Sequence, residues 1–175
     1  MESILYGLRL GSTFITVMGF GHCLYISAVE VAARRRLPSA ESMIDHFQAT
    51  FPLAKKYSQG LGAIPTLMSV AHYFLHPDHP SSKLLLFAGL SIISIGPYTK
   101  FFILPTNNQL LDGDSKYFVI LKSTFRNKAR GFFSDPKKKG ESWIRSTLEV
   151  WSRRHFVRTL IFGADALIFM YATCQ

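Results

Sequence analysis

The sequence predicts an all-α, polytopic membrane protein, a bundle of four transmembrane helices joined by amphipathic cytosolic connections. Two observations lead to this fold class. Nearly half of the 175 residues are hydrophobic, 15 of them phenylalanine, yet the formal net charge is +9. The apolar and basic residues are also segregated along the chain instead of being mixed, as they would be on a soluble basic protein. We expect residues 1–175 to form a single membrane domain.

Four apolar windows predict the four spans. Each is about long enough to cross a hydrocarbon core of roughly 30 Å as a helix. The first has no basic start and is too long for a cleavable signal, and further apolar windows follow it. The predicted spans are Ile4–Val29, Tyr57–Leu75, Leu84–Leu104 and His155–Cys174. The two long connections are then 30–56 and 105–154.

The basic residues predict the orientation. The first connection holds five Lys or Arg residues and the last holds eleven, whereas the short middle connection holds only Lys83. Because basic loops stay in the cytoplasm, both long connections should be cytosolic and both termini lumenal, in an endomembrane such as the endoplasmic reticulum. The basic runs flank membrane spans, so anionic lipid headgroups explain them better than nucleic acid does.

The long connections contain helical patterns of their own. Four apolar residues at helical spacing, which Ser39 could cap, predict a short helix lying on the membrane surface: Met43, Ile44, Phe47 and Phe51. A second amphipathic helix is predicted over residues 115–126, and "SDPKKKG" predicts a turn. From Glu141 onward an apolar stripe recurs every three or four residues and runs without a breaker into the last span.

Glycine and proline predict irregular geometry in the two middle spans. Gly60, Gly62 and Pro65 predict that the second helix is bent or locally open. Gly96 and Pro97 predict a kink in the third helix, which we expect to stop at Pro105.

Charged residues inside the spans need partners, because a charge in hydrocarbon is costly. Asp165 lies ten residues into the last span, about 15 Å deep, near the middle of the membrane. Arg9 enters from the lumenal end of the first helix. We expect Arg9 to pair with Asp165, with snorkelling of Arg9 to the lumenal surface as the alternative.

A second polar group converges at the cytosolic ends of the spans. His155 and Arg158 lie in the first turns of the last span, and Pro105, Thr106 and Asn107 lie at the end of the third. A titratable group, a fixed cation and amide donors at one membrane face are the ingredients of an active site. The alternative is purely structural, with the amide capping a helix and the arginine reaching lipid headgroups.

Neither the histidines nor the cysteines elsewhere carry a specific motif. His72 and His76 share a helix face at a spacing compatible with metal binding, with His79 as a third ligand, but prolines interrupt the set and no carboxylate stands at a motif position. We therefore expect no metal site. Cys23 and Cys174 lie in different helices at different depths, so we expect no disulfide.

Two stretches resemble a known family. "GPYTKFFILPTNNQLL", followed downstream by "VWSRRHFVRTL", resembles the anthrone oxygenase-like family of small four-helix membrane proteins of fungal polyketide pathways. The matching residues are Pro97, Thr99, the Pro105-Thr106-Asn107 run with Leu110, and then Trp151, His155 and Arg158. "GLGAIPTL" at 60–67 matches more weakly.

The resemblance implies oxidation of an anthrone to an anthraquinone. Molecular oxygen would be the co-substrate, with no flavin, haem or metal cofactor. His155 suits the role of general base, since the central methylene of an anthrone is acidic. Arg158 and Asn107 would hold the enolate oxygen. The residues expected to bind the substrate are Trp151, Tyr98, Thr99 and Pro105.

Two alternatives to this function stay open at the level of sequence. The first is a non-enzymatic membrane scaffold for a biosynthetic complex, in which case the same polar residues would serve folding or assembly. The second is a metal-dependent oxidoreductase that uses His72, His76 and His79. In the favoured reading the partners are an aromatic polyketide, the lipid bilayer and, by association, other polyketide pathway enzymes.

Overall fold

Four long helices form a bundle in the computed structural model, which describes residues 2–111 and 136–175. The long helices are α1 (Glu2–Tyr25), α3 (Ala40–Leu75), α4 (Ser82–Tyr98) and α6 (Glu141–Thr173). Two short helices complete the set: α2 (Val31–Arg35) and α5 (Leu104–Leu110). A 3₁₀ turn, Pro136–Lys139, precedes α6. The predicted helix over 115–126 lies outside the described residues.

Single π-helical turns continue two of the long helices. Ile26–Glu30 joins α1 to α2, and Thr99–Ile103 joins α4 to α5. Among the described residues, three of the resulting stretches are long and apolar enough to cross a membrane: Glu2–Arg35, Ser82–Leu110 and Glu141–Thr173. The α3 helix, which contains the predicted span Tyr57–Leu75, does not reach the same apolarity, because polar residues such as Gln59 and His72 interrupt it.

The helices pack in a closed ring, in which α1 and α4 each contact both α3 and α6. The all-helical membrane bundle predicted from sequence is confirmed. We call the end that carries α2, α5 and the start of α6 the basic end. The turn between α3 and α4 marks the opposite end.

The core divides into two hydrophobic clusters. One lies at the basic end and includes Phe47, Ile103 and Trp151. The other lies between the long helices and includes Ile92 and Phe162. The predicted stripe that starts α6 is confirmed, since Ile144, Leu148, Trp151 and His155 are all buried.

The prediction of a separate surface helix over 40–51 is wrong. These residues are the first three turns of α3, and the Ser39 hydroxyl caps that helix by accepting from the Ser42 backbone N–H. The apolar stripe packs against α6 instead of lipid, with the Phe47 ring edge-on to Trp151 at 5.2 Å between centroids. Pro52 lies inside this helix, at a position where a proline usually predicts a break.

The α3 helix is continuous through Pro65, so of the two expected forms, bent or locally open, the opening is absent and the bend stays a prediction. One further prediction about helix geometry is wrong. The third span does not stop at Pro105, because the chain passes through the π turn into α5 and Pro105 sits in the first turn of that helix. A proline is tolerated there, since the first N–H groups of a helix have no intrahelical partner.

The expected pair between Arg9 and Asp165 does not form. Among the described residues Arg9 instead approaches His79, with Nη1 3.4 Å from Nε2, at the opposite end of the bundle. Asp165 is buried, and its Oδ2 atom has no hydrogen-bond partner. Helical phasing predicts that both side chains face the inside of the bundle, but it does not predict their positions along the bundle axis.

Candidate active site

A cavity of about 550 Å³ lies where the two hydrophobic clusters meet. Its walls are largely apolar and come from both clusters, including Ile26 and Phe47 from the first and Ile92 and Phe162 from the second. Both π turns contribute to its wall. An inserted residue in a π turn shifts the side chains around it, and such turns recur at functional sites. The volume lies within the roughly 300–1,000 Å³ typical of small-molecule sites.

His155 lines this cavity and is held on two sides. Its Nδ1 lies 3.1 Å from the Ser27 hydroxyl, which stands in the first π turn. Its ring stacks on Trp151 one turn earlier, with centroids 5.0 Å apart and planes 27° apart. Among the described residues nothing hydrogen-bonds its other nitrogen, Nε2. Stacking and one hydrogen bond thus fix the orientation of the imidazole while leaving Nε2 for a ligand.

The Ser27 hydroxyl continues into a buried chain of hydrogen bonds. It lies 2.8 Å from Thr159 Oγ1, which lies 3.2 Å from the backbone carbonyl of Cys23. Thr159 is 2% exposed. The chain therefore connects α1, the π turn and α6 behind the imidazole, on the side away from Nε2.

Asn107 lies on α5 and lines the cavity with Trp151. The indole Nε1–H of Trp151 donates to Asn107 Oδ1 at 2.7 Å, and Asn107 is 2% exposed. Because an indole nitrogen is a donor only, the atom facing it must be the amide oxygen. The amide nitrogen of Asn107 therefore points elsewhere, as a donor that no described residue accepts from.

Arg158 supplies a cation to the same cavity. Its Nη2 donates to the Ser58 hydroxyl at 2.9 Å and approaches Cys23 Sγ at 3.5 Å. Its Nε is buried without a partner. No carboxylate within the described ranges forms an ion pair with it. A guanidinium held by neutral partners retains its attraction for an anionic ligand.

A second polar group in the wall, built around Arg34, does not follow from the sequence pattern. The position of Arg34 in a basic run predicts only a role in orientation, but the residue is 3% exposed and paired with Glu30. Its guanidinium lies over the ring of Trp151, 5.3 Å from the centroid, and Thr50 donates to the same carboxylate oxygen of Glu30. The four-residue spacing of Glu30 and Arg34 on one helix was the available signal.

Of the remaining predicted site residues, one lines the cavity and two do not. Thr99 lines the cavity from the second π turn. Tyr98 does not line it, since its hydroxyl donates to the Arg154 carbonyl at 3.0 Å. Pro105 is exposed on α5 and lies outside the cavity. The structure thus brings His155, Arg158, Asn107, Trp151 and Thr99 together.

The three histidines at the opposite end are close to one another but do not form a metal-ligand set. The His79 ring lies 5.6 Å from that of His72 and 5.5 Å from that of His76. Within the described residues, no three His, Cys, Asp or Glu side chains are placed to hold a metal ion. Burial, followed by the charges of Arg9 and His76, lowers the pKa of His79.

The cavity opens between α3 and α4. These helices touch at Gly89, whose carbonyl accepts from Thr66 Oγ1 at 3.0 Å, and a Cβ added at Gly89 would lie 3.0 Å from the Ser69 Cβ. On the basic-end side of this contact, residues of both helices line the cavity, among them Gly62 and Ile92. Leu67 and Ile93 both line it and are 68% and 59% exposed.

An apolar cavity whose wall includes an imidazole, guanidinium groups and an amide, open on the side of a helical membrane bundle, is the kind of site that a membrane enzyme needs for a lipophilic substrate. The comparison with known families agrees. The chain matches the family model described as anthrone oxygenase over residues 47–168, which is more than half of its length. It therefore belongs to the anthrone oxygenase family, as the resemblance predicted. No curated protein and no solved structure matches it.

The matched region contains the seven predicted site residues and excludes α1 and α2. Family membership supports an oxygenase-type enzyme. The wall residues Glu30 and Arg34 lie outside the match, as does Ser27 behind His155, and their assignment to the site comes from the structure.

Proposed function

We propose that this protein oxidises an anthrone-type aromatic polyketide to an anthraquinone with molecular oxygen, in a base-initiated reaction that needs no cofactor. One observation carries the proposal: His155, Arg158 and Asn107 line a single apolar cavity large enough for a tricyclic substrate. Each offers a function that the reaction needs. Within residues 2–111 and 136–175, His155 has an imidazole nitrogen without a hydrogen-bond partner and Arg158 a cation without a carboxylate partner, and Asn107 has an amide donor.

The reaction begins with removal of a proton. His155 Nε2 takes one hydrogen of the central methylene as a proton, and the electron pair delocalises into the ketone to give an enolate. Arg158 and the Asn107 amide stabilise the enolate oxygen, because both are fixed before the charge develops. Their predicted roles as catalytic residues rest on this step.

Oxygen is then reduced by the substrate itself. The enolate passes one electron to O₂, and the resulting carbon radical and superoxide combine into a peroxide at the former methylene carbon. The imidazolium of His155 returns its proton to the peroxide. Loss of the second methylene hydrogen as a proton, with cleavage of the O–O bond, gives the quinone carbonyl and water. One oxygen atom enters the product and the other leaves as water.

The decisive assay measures quinone formation from anthrone by the purified protein under ¹⁸O₂, with the rate in the absence of protein subtracted. We expect one labelled oxygen atom in the quinone and no loss of turnover with a chelator. His155→Gln should abolish turnover, whereas His76→Gln, the same change outside the cavity, should not. Turnover that disappears with the chelator would contradict the cofactor-free reaction. Undiminished turnover in His155→Gln would contradict the role of His155.

The opening between α3 and α4 favours entry of the substrate from the membrane. Gly96 lines the cavity and is exposed, and a Cβ added there meets nothing within 4 Å. Gly96→Phe should therefore block the opening without disturbing packing, and raise KM. Gly60, equally free of neighbours but outside the cavity wall, provides the control in Gly60→Phe. Equal KM values for the two variants would place the entrance elsewhere.

We also propose that the basic end faces the cytosol and both termini the lumen of an endomembrane, as the distribution of Lys and Arg favours. The cavity lies toward that end, where a hydrophobic polyketide made in the cytosol would enter the bilayer. Pathway enzymes on the same side are the expected partners. Glycosylation acceptor sites added at either terminus should be used, and one added at residues 105–135 should not; the opposite pattern would reverse the orientation.

A further inference from the structure

We propose that Ser27 and Thr159 are positioning residues that hold His155 in the tautomer protonated on Nδ1, so that the lone pair of Nε2 faces the cavity. The kinetic consequence of this inference rests on the proposed function, whereas the tautomer itself does not. Neither residue is among the matching residues named for the family resemblance, and Ser27 also lies outside the region that the family model matches.

The position of each proton along the buried chain of hydrogen bonds follows from its acceptors. The chain ends at the backbone carbonyl of Cys23, which can only accept a hydrogen bond. Thr159 has one hydroxyl proton, and the contact of 3.2 Å with that carbonyl requires Thr159 to donate it there. Its other close carbonyl, that of His155 at 3.4 Å, is also an acceptor only, so it does not change this direction.

The donor in the next hydrogen bond, between Ser27 and Thr159, follows from this assignment. Because the Thr159 proton is already used, the contact of 2.8 Å between the two hydroxyls requires Ser27 to donate to Thr159. The Ser27 oxygen is left as an acceptor toward the imidazole, 3.1 Å from Nδ1. That contact is a hydrogen bond only if Nδ1 carries the proton. A neutral imidazole protonated on Nδ1 has its lone pair on Nε2.

The position of Ser27 depends on the π turn. This turn lies between α1 and α2, and α1 and α6 pack along much of their lengths. The carbonyl of Cys23 lies one turn before Ser27, so the end of α1 supplies the final acceptor of the chain and the π turn supplies the hydroxyl that contacts the imidazole. The π turn therefore positions the hydroxyl that determines which nitrogen of His155 carries the proton.

Four variants test the chain. Ser27→Ala and Thr159→Val each remove one hydroxyl with little change in volume, while Thr159→Ser keeps the hydroxyl. Thr173→Val is the matched control, because Thr173 makes an equivalent hydroxyl contact of 2.6 Å with Thr13 between the same two helices, away from the cavity. We expect kcat to fall by about 2- to 12-fold in the first two variants, the effect of one neutral hydrogen bond, with KM within about twofold. Thr159→Ser and Thr173→Val should keep the kcat of the unchanged protein.

The second measurement is independent of turnover. In protein labelled with ¹⁵N-histidine, the signals of His155 are identified by their loss in His155→Gln. We expect a protonated Nδ1 and an unprotonated Nε2 in the unchanged protein, in Thr159→Ser and in Thr173→Val, and a shift toward protonated Nε2 in Ser27→Ala and Thr159→Val. A protonated Nε2 in the neutral unchanged protein, or the same tautomer in all variants, would overturn the proposal. If the tautomer behaves as expected but His155→Gln turns over normally, the positioning stands and the base assignment fails.

Discussion

Trp151→Phe tests the hydrogen bond that orients Asn107. The substitution keeps an aromatic ring next to His155 and Phe47 but removes the indole N–H, which donates to Asn107 Oδ1 at 2.7 Å. The amide oxygen is then left without a donor at a residue only 2% exposed. An orphaned buried acceptor costs about 1–3 kcal/mol. We expect the free energy of unfolding to fall by that amount, and turnover to fall as well, because the amide is free to rotate.

The assay is unfolding in mixed micelles with increasing SDS, for Trp151→Phe, Asn107→Leu and the double variant. In the double variant neither partner is left as an unpaired polar atom. The decrease in its free energy of unfolding should therefore be smaller than the sum of the two single decreases by about 1–3 kcal/mol. Trp143→Phe is the control, because Trp143 is only half-buried and the side-chain hydrogen bonds of the described residues do not include its N–H; it should change stability by less than about 0.5 kcal/mol. Strictly additive losses would refute the coupling between Trp151 and Asn107.

Two further predictions use matched pairs of residues. Glu30→Gln leaves the buried guanidinium of Arg34 without a countercharge and should destabilise the protein by about 3 kcal/mol, whereas Glu149→Gln breaks an exposed pair with Arg35 and should cost less than about 1 kcal/mol. Comparable losses in SDS unfolding would show that the Glu30 pair is not buried. Gly19→Ala places a Cβ 2.8 Å from the Phe162 ring, which lines the cavity, and should cost about 1–3 kcal/mol and lower turnover. Gly21→Ala meets nothing within 4 Å and should lower neither stability nor turnover; equal losses in the two variants would contradict the packing of Phe162.

Much of the candidate site could be read from periodicity and residue type. The stripe through Trp151, His155 and Arg158 follows from helical spacing, because side chains three and four residues apart share a face. The apolar windows, in turn, placed Asn107 at the same end of the bundle. These are properties of one helix at a time, and they do not depend on which helix lies next to which.

The predictions that the structure contradicts have a different cause. Arg9 and Asp165 both face inward, but two inward residues on neighbouring helices meet only if their levels agree, and that level is set by the packing of whole helices. Tyr98 faces the first hydrophobic cluster and bonds a backbone carbonyl, a partner that carries no sequence signal. The basic run around Arg34 predicts a headgroup residue, but the apolar stripe of α3 packs over Arg34, with the Phe47 ring 5.1 Å from its guanidinium.

Apolar length, charge segregation and short motifs are local properties of the chain, and they were enough to predict a helical membrane bundle and to indicate the anthrone oxygenase family. Three features required the packed structure: α3 runs unbroken over the start of α6, a cavity remains between two hydrophobic clusters, and Ser27, Glu30 and Arg34 belong to the surroundings of that cavity. Those features depend on the register between helices and on two π turns. Each π turn rotates the residues that follow it, and the resulting alignment is stabilised by contacts between residues more than a hundred positions apart, such as Ser27 and His155.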